Sequence, residues 1–474
     1  MSRNFVAYIA IIAASFFSQA NSQADSATEG RFVLPAGLVV RPYGYGHFEA
    51  GQIESGSLSD MNNVIIGTTD YKINHGWMED GMASLGFDAI YKRNLEMVVA
   101  LYTKLYFSYP QIDLAGSRFT KNVRQDVAID DAFAQYHVGD AQSPLFLAQV
   151  GYFKFKYNPD VRNLGEYLFR TGTYPIYFNM SLDFPQERLL GLHFQTNLLK
   201  SLKVDLLLTS ATVMPTQGWS LSALADYDVA RLHFIDIGAG VDFADLLNVY
   251  NSTSFPKYFG LNGVGDPVTP RSNNAYSIQN GDTTFYTFAG TKVMARLSID
   301  PKAFIKWYGF GENDLRVYAE ADIIGLKDYP DSGYANSTAT SKDLIAPSYN
   351  VWWQKMPVAI GINPPTFKIL DVLNFELEWF AAKYYNDASG VVNYGSNPLP
   401  WDWPNRLHVT YAKSQIKWSV YAKRSFFNGH FAIVGQVARD HTRLPCAAYD
   451  SESWAELLVT ADDWWWALKT SWMF

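Results

Sequence analysis

The 474-residue chain is 48% hydrophobic and 16% aromatic but only 18% charged, with a net charge of −8 and one cysteine, Cys446. That length allows a full core, and a single thiol builds neither an internal disulfide nor a thiolate metal site, so a stapled minidomain is excluded. The acidic balance speaks against nucleic acid as a partner, and a mean hydropathy of −0.10 excludes a bundle of membrane helices.

In chain order, the first element is an export signal over residues 1–24. Arg3 gives a positive start, residues 5–17 are mostly apolar, and Ser18-Gln19-Ala20 and Ser22-Gln23-Ala24 offer small residues for a peptidase. An apolar run of 13 residues is too short to span a bilayer. No cysteine follows to carry a lipid anchor. Residues 25–33 read as a short periplasmic lead, and residues 34–474 as one transmembrane β-barrel domain.

From residue 34 onward the signal is period two. Leu95, Met97, Val99, Leu101, Thr103, Leu105 and Phe107 alternate with Glu96, Val98, Ala100, Tyr102, Lys104 and Tyr106. The same pattern sets Leu202, Val204, Leu206 and Leu208 against Lys203 and Asp205. It also sets Leu373, Phe375, Leu377 and Trp379 against Asn374, Glu376 and Glu378. About sixteen such segments are expected, each near the 9–11 residues of a tilted membrane strand, with 14 to 18 compatible. They lie at 36–50, 82–92, 95–108, 128–138, 144–157, 187–196, 201–211, 219–229, 234–245, 283–298, 313–327, 350–361, 370–384, 413–425, 429–439 and 463–474. A soluble antiparallel sandwich alternates as well. The gaps separate the two, because long and short ones tend to take turns, as outer loops and periplasmic turns do. Two gaps break the rule: 212–218 is brief, and 299–312 is a long inner turn expected to hold a helix near 303–308.

The last eleven residues run Trp464-Trp465-Trp466-Ala467-Leu468-Lys469-Thr470-Ser471-Trp472-Met473-Phe474. Here the chain resembles the Gram-negative outer-membrane β-barrel superfamily, whose members commonly end in a strand closed by a terminal aromatic. The resemblance implies an all-β antiparallel barrel in the bacterial outer membrane, surrounded by lipid and lipopolysaccharide. It also implies that Trp472 and Phe474 are the signal read by the barrel-assembly machinery, and general porins suggest a homotrimer.

About sixteen strands leave an aqueous lumen. The face opposite the apolar one supplies its lining, including Glu96, Lys104, Asp205, Arg316, Glu320, Glu376, Glu378 and Lys417. Carboxylates slightly exceed bases, so a weak cation preference is expected. The loop after the fifth strand, 158–186, resembles in position the general-porin loop that folds inward. On that resemblance Asp160, Arg162, Glu166, Tyr167 and Arg170 form the constriction; the competing placement is a loop packed on the outer rim. The expected function is a porin for passive diffusion of small hydrophilic solutes and ions. A substrate-specific oligosaccharide or fatty-acid channel and a structural or adhesive surface barrel are the alternatives. No enzyme is expected, since the eight histidines fall in no two-histidine helix motif and next to no nucleophile elbow. No cofactor is called for. Asp266, Asn273, Asn274 and Asp282 could hold calcium but read more simply as solvated loop residues.

Overall fold

The computed structural model describes residues 32–34, 37–58, 71–108, 124–140, 144–169, 187–199, 201–210, 218–229, 234–248, 276–279, 282–285, 290–305, 307–323, 325–326, 352–381, 416–446, 451–456, 458 and 460–474. The export segment lies outside them. Sixteen strands build the barrel. The first eight are β1 (Leu38–Leu58), β2 (Tyr71–Tyr91), β3 (Leu95–Ser108), β4 (Arg124–Gly139), β5 (Pro144–Phe155), β6 (Glu187–Leu199), β7 (Leu202–Ser210) and β8 (Gly218–Asp228). The second eight are β9 (Ile235–Asn248), β10 (Gly290–Ile299), β11 (Val317–Ile323), β12 (Val358–Ile362), β13 (Val372–Trp379), β14 (Ile416–Phe426), β15 (Phe431–Arg439) and β16 (Trp464–Met473). Each pairs antiparallel with its sequence neighbours, and β16 pairs back onto β1. The ring leaves no open edge, which a strand-built membrane protein requires.

The alternation of the sequence becomes the two faces of this wall. On β13, Val372, Asn374, Glu376 and Glu378 are buried inside, while Phe375, Leu377 and Trp379 are exposed outside. The exterior of β3 and β4 is the clearest case, with Leu101 54% and Val127 67% exposed, whereas Glu378 and Lys469 on the inner face are fully buried. A sandwich has the reverse arrangement. An apolar exterior around a polar interior needs lipid outside, so the barrel spans an outer membrane. Leu101→Arg is therefore expected to cost about 2–4 kcal/mol if it lies at midplane, read by reversible urea unfolding in liposomes. Tyr102→Arg, one residue on and facing the lumen, should cost less, its loss being the ring that lies under the Arg188 guanidinium. Asp205 and Glu376 also face inward, but both are held in hydrogen-bonded networks and are not free to vary.

All sixteen expected segments overlap an observed strand, and most differences lie at their ends; in the segment expected at 350–361, however, Trp352–Lys355 form a 3-10 turn and the strand is confined to Val358–Ile362. β1 and β2 each run 21 residues, past the ends expected at 50 and 82. The inner face of this tall hairpin, at Ile53, Ile73 and Met78, packs with Leu458 from the loop after β15. The helix expected near 303–308 is instead a 3-10 turn, Pro301–Ala303, started by Pro301 and the Asp300 side chain, which accepts from Lys302 N. Beyond it Trp307 and Phe310 pack edge-on, and both meet Phe367 in the next inner turn. Asp314 ties these turns together. Burial pushes its carboxyl up, but donors from Gly311, Thr366 and Phe367 outweigh this and hold it below the ordinary carboxylate range.

The seam is finished by the last residue. Phe474 exchanges both backbone hydrogen bonds with Gly44, at 2.9 and 3.0 Å. Its ring lies over Gly44, where an added Cβ would sit 2.2 Å from Cζ, and Trp472 covers Gly46 likewise. The two glycines are what let the terminal aromatics lie flat on the wall.

Candidate functional site

The loop after β5 enters the barrel. Pro159 cannot continue the ladder, and Asn158 turns the chain by accepting from Asp160 N. Gly165, at φ 104°, supplies the left-handed turn that follows, and a Cβ there would meet Val161 at 2.8 Å. Leu168 then packs with Tyr157 of the loop and with Phe153, Phe155, Leu189, Leu207, Leu224 and Met294 on the inner wall. Residues 156–169 are thus cemented inside the lumen by apolar contact.

Carboxylates on the far wall take the loop's polar groups. Glu376 on β13 accepts from the backbone N–H groups of Arg162, Asn163 and Leu164, and from Tyr318 Oη at 2.6 Å. Glu320 on β11 accepts from Tyr157 Oη at 2.7 Å, Asn158 Nδ2 at 2.6 Å and Tyr167 N at 3.1 Å. Glu378 is shared by Tyr167 Oη and by Nε2 of His441, 2.9 Å away. Burial, reinforced by Glu320, Asp322 and Glu166, pushes the Tyr157 hydroxyl well above its ordinary range, so it stays protonated and donates. Four of the eight wall residues expected to line the lumen, Arg316, Glu320, Glu376 and Glu378, are engaged by the loop.

The loop's own charges are placed as follows. Asp160 pairs with Arg316 at 2.8 Å, and Glu166 turns back to accept from Asn158 N. Both carboxylates and Tyr167 are buried, whereas the Arg162 guanidinium donates to the carbonyl of Pro159. Arg170 lies outside the described residues. Lys417 donates to the carbonyls of Asp440 and Leu458, so a second outer loop, after β15, also enters the lumen. Asn163 Nδ2 to Asp440 at 2.7 Å joins the two loops directly. His441, Asp440 and Asn163, which tie the two loops to each other and to the wall, were not singled out from the sequence, since no local pattern marks them.

The opposite wall carries paired charges. A bulge in β4 at Asp130 sets it beside Asp131, and Lys154 bridges both at 2.8 and 3.0 Å while Arg188 reaches Asp130. Glu96 accepts from Gln135, and Asp205 meets His193 at 2.8 Å and Lys203 at 3.0 Å. His47, Glu49 and Asp80 bring three metal-type ligand atoms within 4.8 Å of one another. Lys104, 3.3 Å from Asp80, already supplies a counter-charge there. Beneath the inward loop lies a cavity of about 370 Å³, lined by Asp160, Asp226, Asp228, Asp236 and Asp300 against Lys203 and Arg316. The arrangement is a polar lumen crossed by two loops, with many of its charges held in pairs.

No family model matches the chain, and no curated protein does. Among solved structures, the chain is similar to the outer membrane channel DcaP of Acinetobacter baumannii, at 12% identity and TM-score 0.40, over 94% of this chain and 99% of that one. It is also similar to a mutant porin of Rh. blastica, at 10% identity and TM-score 0.39, over 92% and 100% of the two chains. OprB of Pseudomonas putida, at low pH, gives 9% identity and TM-score 0.40 over 93% and 94%. The fold assignment stands on the strand pairing and exterior described above.

Proposed function

We propose that the protein is a porin-type channel for passive diffusion of small hydrophilic solutes and ions across the outer membrane. The observation that carries this reading is the loop at 156–169, drawn across a sixteen-strand lumen by Glu320 and Glu376. A barrel of that size without such a loop leaves a wide aqueous bore; the loop narrows it to a size filter. The acidic lining of the cavity below supports a weak cation preference. Homotrimer formation belongs to the same reading, with a contact face on the exterior of β8–β11, where Ala225, Ala239, Ala295 and Ala321 lie in register.

Single-channel recording in planar bilayers tests it. Wild-type protein should give steady ohmic steps. Deleting residues 162–168 should raise conductance, and Arg162→Ala should shift the reversal potential in a salt gradient toward cations. Absence of any conductance step from folded protein would replace the channel by a plugged or structural barrel. Unchanged values in both variants would remove the loop from the ion path, since charges beyond a Debye length of roughly 8 Å act weakly.

A further inference from the structure

The tip of the inward loop is held by two different elements. From β13, Glu376 takes the backbone N–H groups of Arg162, Asn163 and Leu164. From the segment that follows β15, Asp440 takes the Asn163 side chain, whose Nδ2 donates to Oδ2 at 2.7 Å. The two grips differ in kind. Glu376 holds the backbone, whereas the contact at Asp440 depends on which side chain stands at 163. Asp440 is itself fixed. It is 5% exposed, and its other oxygen, Oδ1, accepts from Thr442 N at 3.0 Å and from the Trp465 indole N–H at 2.9 Å. Its carbonyl accepts from Lys417 Nζ at 2.9 Å, and the same ammonium reaches the Leu458 carbonyl at 2.6 Å. One lysine on β14 thus draws in the second outer loop near both of its ends. Leu458 in turn packs with Ile53, Ile73 and Met78 of the tall first hairpin.

We propose that Asp440 is the positioning residue of the constriction: through Asn163 it fixes where the loop tip stands in the lumen, so the second outer loop sets the width of the bore that the first one narrows. This role rests on the channel reading above, in which residues 156–169 narrow the bore. A loop end gripped by one element alone can pivot about that grip, and an anchor on a separate element removes the pivot. The anchor is strong for three reasons. The acceptor is a carboxylate, it is buried, and its remaining lone pairs are turned toward Thr442 and Trp465, which leaves Oδ2 aimed at the loop. Trp465 lies on β16, so the strand that closes the barrel also orients the group that holds the constriction. Hydrogen bonds to charged groups are strong enough that losing this one should raise the population of the displaced tip about tenfold.

Exchanging donor and acceptor tests the proposal. In Asp440→Asn the amide oxygen can keep the Thr442 and Trp465 donors, which leaves the NH2 group facing Asn163 Nδ2, donor against donor. The double variant Asp440→Asn/Asn163→Asp restores a donor–acceptor pair in the reverse direction, at the wild-type net charge. Two readouts are taken on the full-length barrel. One is open-channel current noise in planar bilayers; the other is hydrogen exchange of the amides at 162–164, which reports docking whether or not the barrel conducts. Asp440→Asn should raise both, with excursions to higher conductance about ten times as frequent, and the double variant should bring both back toward wild type. Asn163→Ala, which leaves Asp440 its other donors, should match Asp440→Asn and stands in for it if that variant fails to fold. Wild-type noise and exchange in Asp440→Asn would overturn the proposal and leave Glu376 as the anchor of the tip. A defect that the double variant does not relieve would overturn it too, since the effect would then lie in the Thr442 and Trp465 contacts. If even the wild type gives no current, while exchange rises in Asp440→Asn and falls back in the double variant, the channel reading fails and the joint between the loops stands.

Discussion

Replacing Phe474 by aspartate is expected to remove most of the heat-modifiable barrel from outer membranes while leaving synthesis unchanged. The side chain faces lipid, so the carboxylate would sit on the apolar exterior, and the ring that covers Gly44 would be gone. We also propose that Trp472 and Phe474 serve as the assembly signal, and two controls separate that role from packing. Phe474→Tyr keeps ring and strand pattern and should restore assembly. Gly44→Val leaves the terminal strand intact but pushes a side chain into the Phe474 ring, so it should impair closure if the seam itself matters. Normal levels of folded barrel from Phe474→Asp would sink both roles; a defect in Phe474→Asp with normal assembly of Gly44→Val would leave only the signal.

Glu376→Ala is expected to give the second large effect. The change strips the acceptor from three consecutive backbone N–H groups and from the Tyr318 hydroxyl, all inside the wall. Hydrogen bonds to a charged group contribute roughly 1.5–3 kcal/mol each, and buried donors left without a partner add their own penalty, so loop docking should weaken by several kcal/mol. The measurable outcome is a higher and noisier single-channel conductance together with a lower melting temperature. Glu376→Gln retains one acceptor oxygen and should lie between the two. Glu96→Gln, on the opposite wall beside Gln135 and Asp88 and away from the loop, serves as the comparison and should change conductance little. A folded Glu376→Ala barrel with wild-type conductance would show that Glu320 and the apolar contacts of Leu168 hold the loop without it.

What was legible in the sequence follows from what makes a period. Lipid on one side and water on the other impose alternation on every residue of a spanning strand, and all sixteen strands came through that way. The same parity assigned Glu96, Asp205, Glu320, Glu376, Glu378 and Lys417 to the inner face. It was silent on Ser55, Gly56 and Ser57, because a strand that rises above the bilayer has no lipid side and keeps no apolar alternation. It was silent too on what the inward carboxylates hold. The bond from Leu164 N to Glu376 joins residues on opposite walls, and nothing at 164 or 376 alone announces the other. The same is true of His441 and Glu378, where a lone histidine after a strand looks like any solvated loop residue.

The tall first hairpin has a bearing on the cell's encounters. A strand needs about 9–11 residues to cross the hydrocarbon, and β1 and β2 have 21 each, so roughly half of the hairpin stands clear of the bilayer on the outer side. That half is paired sheet, backed by Leu458 and decorated outside by an exposed Glu54–His75 contact at 2.8 Å and by Trp77. Antibodies and phage fibres bind best to surfaces whose shape is already fixed, because no ordering entropy is lost on contact. A paired ribbon projecting from the outer side of the membrane is such a surface. Selection by phage and immunity would then fall on its outward residues, while the pairing and the buried inner row at Ile53, Ile73 and Met78 hold the ribbon's shape constant.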